Sequence, residues 1–476
     1  MVFSSAVFLF AFLPIVFILH TAIRNTTVRN ILLIVASLLF YAWGEPAYIL
    51  LLLLSILVNF VLGRFVWGRK PVLAAGVVIN LAFLIVFKYA GFIVQSLNAI
   101  PFINIREPGI SMPIGISFYT FQAMSYVIDT YRDDEKRPGS FFDVMLYICL
   151  FPQLVAGPIV KYNSVREQLR DRQVGAEEIS AGIRRFIIGL SKKMLIANVM
   201  AAAVDKMFAL DMAQLDTASA WVGAVCYLFQ IYFDFSGYSD MAVGMGKMFG
   251  FTFPENFDYP YTASSVRQFW KKWHISLTSW FREYLYFPLG GNRKGKARTL
   301  FNRFFVFLCT GIWHGANWTF VVWGIYHGLL TMLETALVKE KKPHSNENAA
   351  EALIDNQPAK KNVFLRIAGH VYTLLAVTIG FVIFRADNMA QAGHFIANMF
   401  AFNATHTGVM TAVSVMSPLF IITTFIAVAA CTPVLKRLPE NKATRYAGMA
   451  ASVVLYLLCI MELAAGSYNP FIYFRF

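Results

Sequence analysis

Acidic residues are scarce in this sequence. Asp and Glu total 27 against 41 Lys and Arg, and charges of both signs make up only 14% of the 476 residues. A soluble domain carries about 25% charged residues, so an ordinary water-exposed globule is excluded. Cysteine is sparse as well. Cys149, Cys226, Cys309, Cys431 and Cys459 are odd in number and scattered through apolar runs, which argues against a disulfide framework and predicts packed thiols. No His/Cys cluster has metal-ligand spacing, so no metal is predicted. No glycine-rich phosphate loop is present, which argues against ATP.

Apolar residues take up 58% of the chain, in runs that recur from end to end. Such runs predict membrane-spanning helices. The fold class is therefore all-α and polytopic, read as a single integral membrane domain over residues 1–476. The first run, Ala6 to Ala22, lacks a positive n-region and is expected to be a retained span. The net charge of +14 comes largely from basic residues in loops between spans. The positive-inside rule accounts for them, so the implied partner is the lipid bilayer and not nucleic acid. It places Arg24, Arg29, Arg64 and Lys70 on the cytosolic side and the N-terminus outside.

The runs add up to about eleven transmembrane or re-entrant elements. Val72 to Phe87 reads as a span and Tyr89 to Ile100 as a short interfacial or re-entrant piece. Residues 251–298 differ in kind. Trp270, Trp273 and Trp280 stand among Arg267, Lys271, Lys272, His274 and Arg282, a mixture that predicts an interfacial or re-entrant segment. Asp234 and Asp240 flank Ser236 and Gly237 at the end of an apolar run; they suit the lining of an acceptor path or, the preferred reading, pairing with Arg267 or a helix N-terminus. Residues 339–362 are polar and predict a mobile cytosolic loop.

One stretch carries most of the chemistry: Gly311-Ile-Trp-His-Gly-Ala-Asn-Trp-Thr-Phe320, running on through Val321-Val-Trp-Gly-Ile-Tyr-His-Gly328. It is apolar enough for a bilayer, yet it holds His314, Asn317 and His327. Polar groups at membrane depth mark a candidate functional site. On a helix, Asn317 and Trp318 share the face of His314. His327 would stand roughly 20 Å along a continuous helix. The two histidines therefore meet only if the helix breaks, with Gly324 the expected place. A neutral imidazole can take a proton near pH 7, which suits His314 to general-base chemistry. Asn317 could orient it or donate to an oxyanion. From these residues alone, a core histidine tying helices together is the competing reading. His327 suits tunnel shaping, proton relay or structural support. His274, among Trp270, Trp273 and Lys271, is expected to be an interfacial anchor.

Trp313-His-Gly-Ala-Asn-Trp318 followed by Trp323-Gly-Ile-Tyr-His-Gly328 resembles the signature of the membrane-bound O-acyltransferase (MBOAT) superfamily. Further motifs are similar to that family: Met1-Val-Phe-Ser-Ser5, Pro113-Ile-Gly-Ile-Ser-Phe-Tyr-Thr-Phe-Gln122 and Phe151-Pro-Gln-Leu-Val-Ala-Gly-Pro158. Asp234-Phe-Ser-Gly-Tyr-Ser-Asp240, Phe253-Pro-Glu-Asn-Phe257 and Phe269-Trp-Lys-Lys-Trp-His-Ile-Ser-Leu277 complete the set. Together they cover nearly the whole chain and resemble the AlgI-like branch of alginate and polysaccharide O-acetyltransferases, and more distantly the DltB-like D-alanylation proteins.

The resemblance implies an MBOAT-type helical bundle with a central funnel or tunnel, in a bacterial cytoplasmic (inner) membrane. It implies an O-acyltransferase that takes an acetyl group from a cytosolic donor, acetyl-CoA, and passes it across the membrane for O-acetylation of an exported polysaccharide. It implies an extracytoplasmic partner of the SGNH acyltransferase type and no bound cofactor. In that family pattern His314 takes the catalytic position and His327 matches a second recurrent histidine. Arg267, Lys271, Lys272 and Arg282 are candidates for the phosphates of coenzyme A, beside the plainer reading as positive-inside anchors. The run Val371 to Phe384 contains no histidine, which favours the AlgI-like branch, although His370 stands just before it. The alternatives are D-alanyl-type transfer from a carrier protein and a transporter without acyl chemistry.

Overall fold

The computed structural model describes residues 1–133, 138–337, 363–437, 439, 441–466 and 472. The expected loop at 339–362 lies outside the described residues. Among the described residues every extended regular element is a helix, and strand-like pairing is confined to one isolated bridge between Phe257 and Trp273.

Among the described residues six helices are long and apolar enough to cross a bilayer, or seven if His406–Ser414 and Pro418–Ala430, bent by 76°, make one span. Phe8–Ala22 and Ile49–Phe65 are shorter apolar helices. The chain is thus a multi-pass membrane protein, but the expected count of about eleven is not reached by length and composition alone. The reason is physical. The most enclosed helices face protein instead of lipid and so tolerate polar side chains. Thr217–Met248 buries Gln230, Asp234, Ser239 and Asp240, and Ile116–Arg132 buries Thr120, Gln122 and Ser125.

Two boundaries differ from expectation. Lys70–Leu84, Ile85–Tyr89 and Ala90–Asn98 run on as one span, with a π-helical turn in the middle, so Tyr89 to Ile100 is no separate element. Residues 251–298 break into short helices at Pro260–Thr262, Val266–Lys272, Ile275–Phe281 and Arg282–Tyr286. Their aromatics Phe269, Trp270 and Trp280, and Trp273 between two of them, are buried in the protein.

Small residues let the central helices approach. Gly189 and Gly237 meet where Ala176–Ser191 crosses Thr217–Met248; a Cβ on Gly237 would stand 2.7 Å from Gly189 O. Lys296–His314 and Trp318–Leu337 form a helical hairpin on the same device. A Cβ on Gly324 would stand 2.7 Å from Phe307 O and 3.1 Å from Gly311 Cα. The hairpin lies at the seam of two hydrophobic clusters. Trp313 packs into one, and Phe320 and Trp323 into the other.

Candidate active site

The helix that carries His314 stops at that residue. Gly315 is extended, and Trp318 opens the next helix. The expected shared face of His314, Asn317 and Trp318 therefore does not form, and the break falls at Gly315, not at Gly324. A Cβ on Gly315 would strike the Phe320 ring, which explains the glycine at the turn.

A helix end inside a protein leaves carbonyl groups that need donors. Here two adjacent residues of the π-helical turn supply them. Tyr89 OH donates to Ile312 O at 2.6 Å. Lys88 Nζ donates to Trp313 O at 2.7 Å, to His314 O at 3.1 Å and to Ser117 Oγ at 2.9 Å. Lys88 is 8% exposed, and its cation lies at the negative end of the helix dipole. Sequence reasoning passed over Lys88 because it sat at the boundary between two apolar runs. The signal was nonetheless present: a lone lysine at membrane depth.

The His314 ring is buried, and its Nδ1 has no partner among the described residues. Three rings hold it edge-on: Trp313 at 5.1 Å, Trp323 at 5.3 Å and Phe384 at 5.1 Å. Two small cavities share this histidine as a wall. One, about 30 Å³, is lined by Lys88, Pro113, Gly115, Ser117 and Trp313 among others. The second, about 10 Å³, is aromatic, with Phe235, Trp273, Trp323, Phe381 and Phe384. Spaces of this size suit single waters.

His327 is fully buried. Trp270 Nε1 donates to its Nδ1 at 3.3 Å, which leaves the ring proton on Nε2, where no partner is found among the described residues. Gly380 makes room for that nitrogen; a Cβ there would collide with it. The hairpin brings the two histidines to a common indole, with Trp323 at 5.3 Å from His314 and 5.0 Å from His327. Asn317 is committed elsewhere. Its Nδ2 donates to Asp387 O at 2.9 Å, and its Oδ1 accepts from Thr319 N at 3.1 Å, so it caps the second helix.

His274 is no surface anchor. It is 2% exposed, with a left-handed backbone at φ 47, and stands 4.6 Å from Phe235 and 6.2 Å from Trp313. Its Nδ1 meets Asn256 Oδ1 at 3.1 Å and so carries the ring proton, leaving a buried acceptor Nε2 without a partner among the described residues. It is also within electrostatic reach of His314. Asn256 and His274 belong to two of the sequence motifs quoted above, and the structure joins them.

The expected phosphate-binding cations divide. Lys271 has Arg267, Arg303 and Arg282 as electrostatic neighbours; burial first, then these guanidinium groups, hold its ammonium below the usual lysine range. Arg303 thus joins the group, and it donates to Thr335 Oγ1. Lys272 turns away, to Thr262 Oγ1 at 3.1 Å and Asp258 at 3.7 Å. Glu334 caps the helix that presents the cluster, accepting from Val266 N at 2.8 Å and Arg267 N at 2.9 Å. Asp234 pairs with Lys193 at 2.9 Å, and Asp240 with Arg185 and Lys192, each at 2.7 Å, in place of the expected Arg267.

The model of the membrane-bound O-acyltransferase family matches residues 119–340, which include His274, His314 and His327. The chain is 39% identical to a probable alginate O-acetylase AlgI of Pseudomonas putida, covering 100% of each. A peptidoglycan O-acetyltransferase of Helicobacter pylori is 33% identical, over 85% of this chain and 80% of its own length. A teichoic acid D-alanyltransferase of Streptococcus thermophilus is 25% identical, over 57% of this chain and 68% of its own.

Proposed function

The chain belongs to the membrane-bound O-acyltransferase family, and from that membership we propose that it takes an acetyl group from cytosolic acetyl-CoA and delivers it for O-acetylation of an exported polysaccharide, with His314 as the general base. A transporter without acyl chemistry is set aside by the family. The observation that carries the reading is the place of His314: buried, with an unpartnered ring nitrogen, in the wall common to two cavities of different character.

In the proposed step the imidazole of His314 takes the proton of the acceptor hydroxyl. The freed oxygen attacks the thioester carbonyl, a C–O bond forms, the C–S bond breaks, and the imidazolium returns the proton to the leaving thiolate. The aromatic surroundings of the ring exclude water, which strengthens its interaction with charge that develops in the transition state. Lys88 and Tyr89 hold the helix end that aims the ring. The Lys271, Arg267, Arg282 and Arg303 group is suited to coenzyme A phosphates on the cytosolic side. His327 and Asn317 act as supports for the hairpin.

The full-length likeness to an alginate O-acetylase supports a polysaccharide pathway over D-alanyl transfer from a carrier, since the D-alanyltransferase relative matches a smaller share at lower identity. Residues 1–476 work as one membrane domain in the cytoplasmic membrane, and an extracytoplasmic SGNH-type partner completes transfer to the polymer. The test is thiol release from acetyl-CoA by the purified protein in nanodiscs, with and without such a partner. Release by wild type and its loss in a folded H314A variant is the expected result. Thiol release that is undiminished in H314A would overturn the assignment of His314.

A further inference from the structure

Where the first two apolar helices turn over, three basic side chains converge with no acid among them. His20 lies in the last turn of Leu13–Ala22, Arg29 in the first turn of Thr26–Gly44, and Arg172 follows the short helix Tyr162–Val165. Arg172 is only 6% exposed and His20 only 1%. Arg172 Nε donates to Phe249 O at 3.0 Å and Nη1 to Gln168 O at 3.2 Å, and the guanidinium lies 4.4 Å over the Phe251 ring. Its Nη2 is buried and finds no partner among the described residues. Both ring nitrogens of His20 are in the same condition. Arg29 commits Nε to His20 O at 3.1 Å and Ile23 O at 2.6 Å.

Both guanidinium groups are within electrostatic reach of the His20 ring. Burial, then Arg29, pulls the Arg172 guanidinium down to about 10, with no carboxylate among the described residues opposing the shift. A buried cation without a counter-ion is expensive, so the arrangement calls for an anion that is not part of the chain. Asn30 narrows its chemistry. Its Nδ2 donates to Leu169 O at 2.7 Å, while its buried Oδ1 has no donor among the described residues. Cationic donors beside an acceptor fit a phosphodiester whose headgroup bears a hydroxyl. The charge pattern of Arg24 and Arg29 sets this corner at the cytosolic leaflet, where anionic headgroups gather.

We propose that His20, Arg29 and Arg172 form a site for the phosphate of an anionic glycerophospholipid, with Asn30 accepting from the headgroup hydroxyl. Such a lipid ties the first helical hairpin to Phe249 and Phe251, which follow the Thr217–Met248 helix. It acts independently of the acyl-transfer site.

The test uses the full-length protein, stripped of lipid in neutral detergent. Thermal melting is followed with phosphatidylglycerol, phosphatidylcholine, inorganic phosphate or coenzyme A, and retained lipid is weighed by native mass spectrometry. Phosphatidylglycerol is expected to raise the melting midpoint by several degrees and to stay bound, whereas phosphatidylcholine does neither. Arg172→Gln and His20→Phe are expected to lose most of that shift. His20→Phe keeps the ring packed on Phe249 and decides the matter if Arg172→Gln fails to fold. A phosphatidylglycerol shift matched by phosphatidylcholine, or left whole in His20→Phe, overturns the site. A shift given by inorganic phosphate or coenzyme A in place of the lipid overturns the choice of ligand.

Discussion

Lys88 Nζ donates to the backbone carbonyl of His314 at 3.1 Å, and Tyr89, its neighbour in the chain, reaches Ile312 O in the same helical turn. His314 is therefore fixed through its backbone by a residue of a different span. Lys88→Met removes the donor to Trp313 O and His314 O and leaves buried carbonyls unpaired, at a cost of about 1–3 kcal/mol in stability. A displacement of the ring by even about 1 Å can cost a hundred-fold in rate. Thiol release from acetyl-CoA should fall by at least about ten-fold with a lowered melting temperature, and Lys88→Arg should recover part of both. Full activity in a folded Lys88→Met protein would show that the helix end needs no cation.

Asn317 and His314 are close in sequence but part company at Gly315, and their variants should part company too. Asn317→Ala loses a helix cap and should cost about 1 kcal/mol of stability while most thiol release remains. His314→Ala should lose nearly all turnover with little change in melting. Activity and melting measured on the same preparations separate the two, and equal losses of activity would return Asn317 to the chemistry.

These cases show what could be read from the residues alone. The family was legible because the motif around Trp313 is local and long. The place of the chain reversal was not, since Gly315 and Asn317 sit inside a run that otherwise reads as helical and no proline marks the turn. The role of Lys88 depends on contact across 226 residues of sequence, which no local pattern carries. His274 was misjudged for a related reason. Aromatic and basic neighbours suggest a membrane interface in sequence, but the tryptophans around it turn inward and bury it. The central helices keep polar side chains because their partner is protein, not lipid.

Gly311 and Gly324 should be intolerant of side chains for a reason unrelated to flexibility. A Cβ on Gly311 would stand 2.8 Å from Gly324 Cα, so the hairpin arms must separate to accept it. Gly311→Ala should cost about 1–3 kcal/mol through overpacking, and Gly311→Val more. Because the same arms hold His314 and Trp323, turnover should fall along with the melting temperature. A Gly311→Ala protein with native melting and native turnover would mean that the arms can part without consequence.

Lys271 offers a prediction with a sign. Burial and then Arg267, Arg303 and Arg282 lower its pKa in the free protein, so as pH rises it loses its charge before an ordinary lysine does. If that charge helps to hold the donor's phosphates, kcat/KM for acetyl-CoA, which reports the free enzyme, should decline on the alkaline side earlier than an unperturbed lysine would allow. Lys271→Arg keeps its charge throughout and should move the decline to higher pH, whereas Lys271→Met should lower kcat/KM on the acid side and flatten the profile. Lys272→Met, on a side chain directed to Asp258 and Thr262, should leave the profile as it is. A profile unmoved by Lys271→Arg would separate Lys271 from donor binding and leave the arginines of the cluster to hold the phosphates.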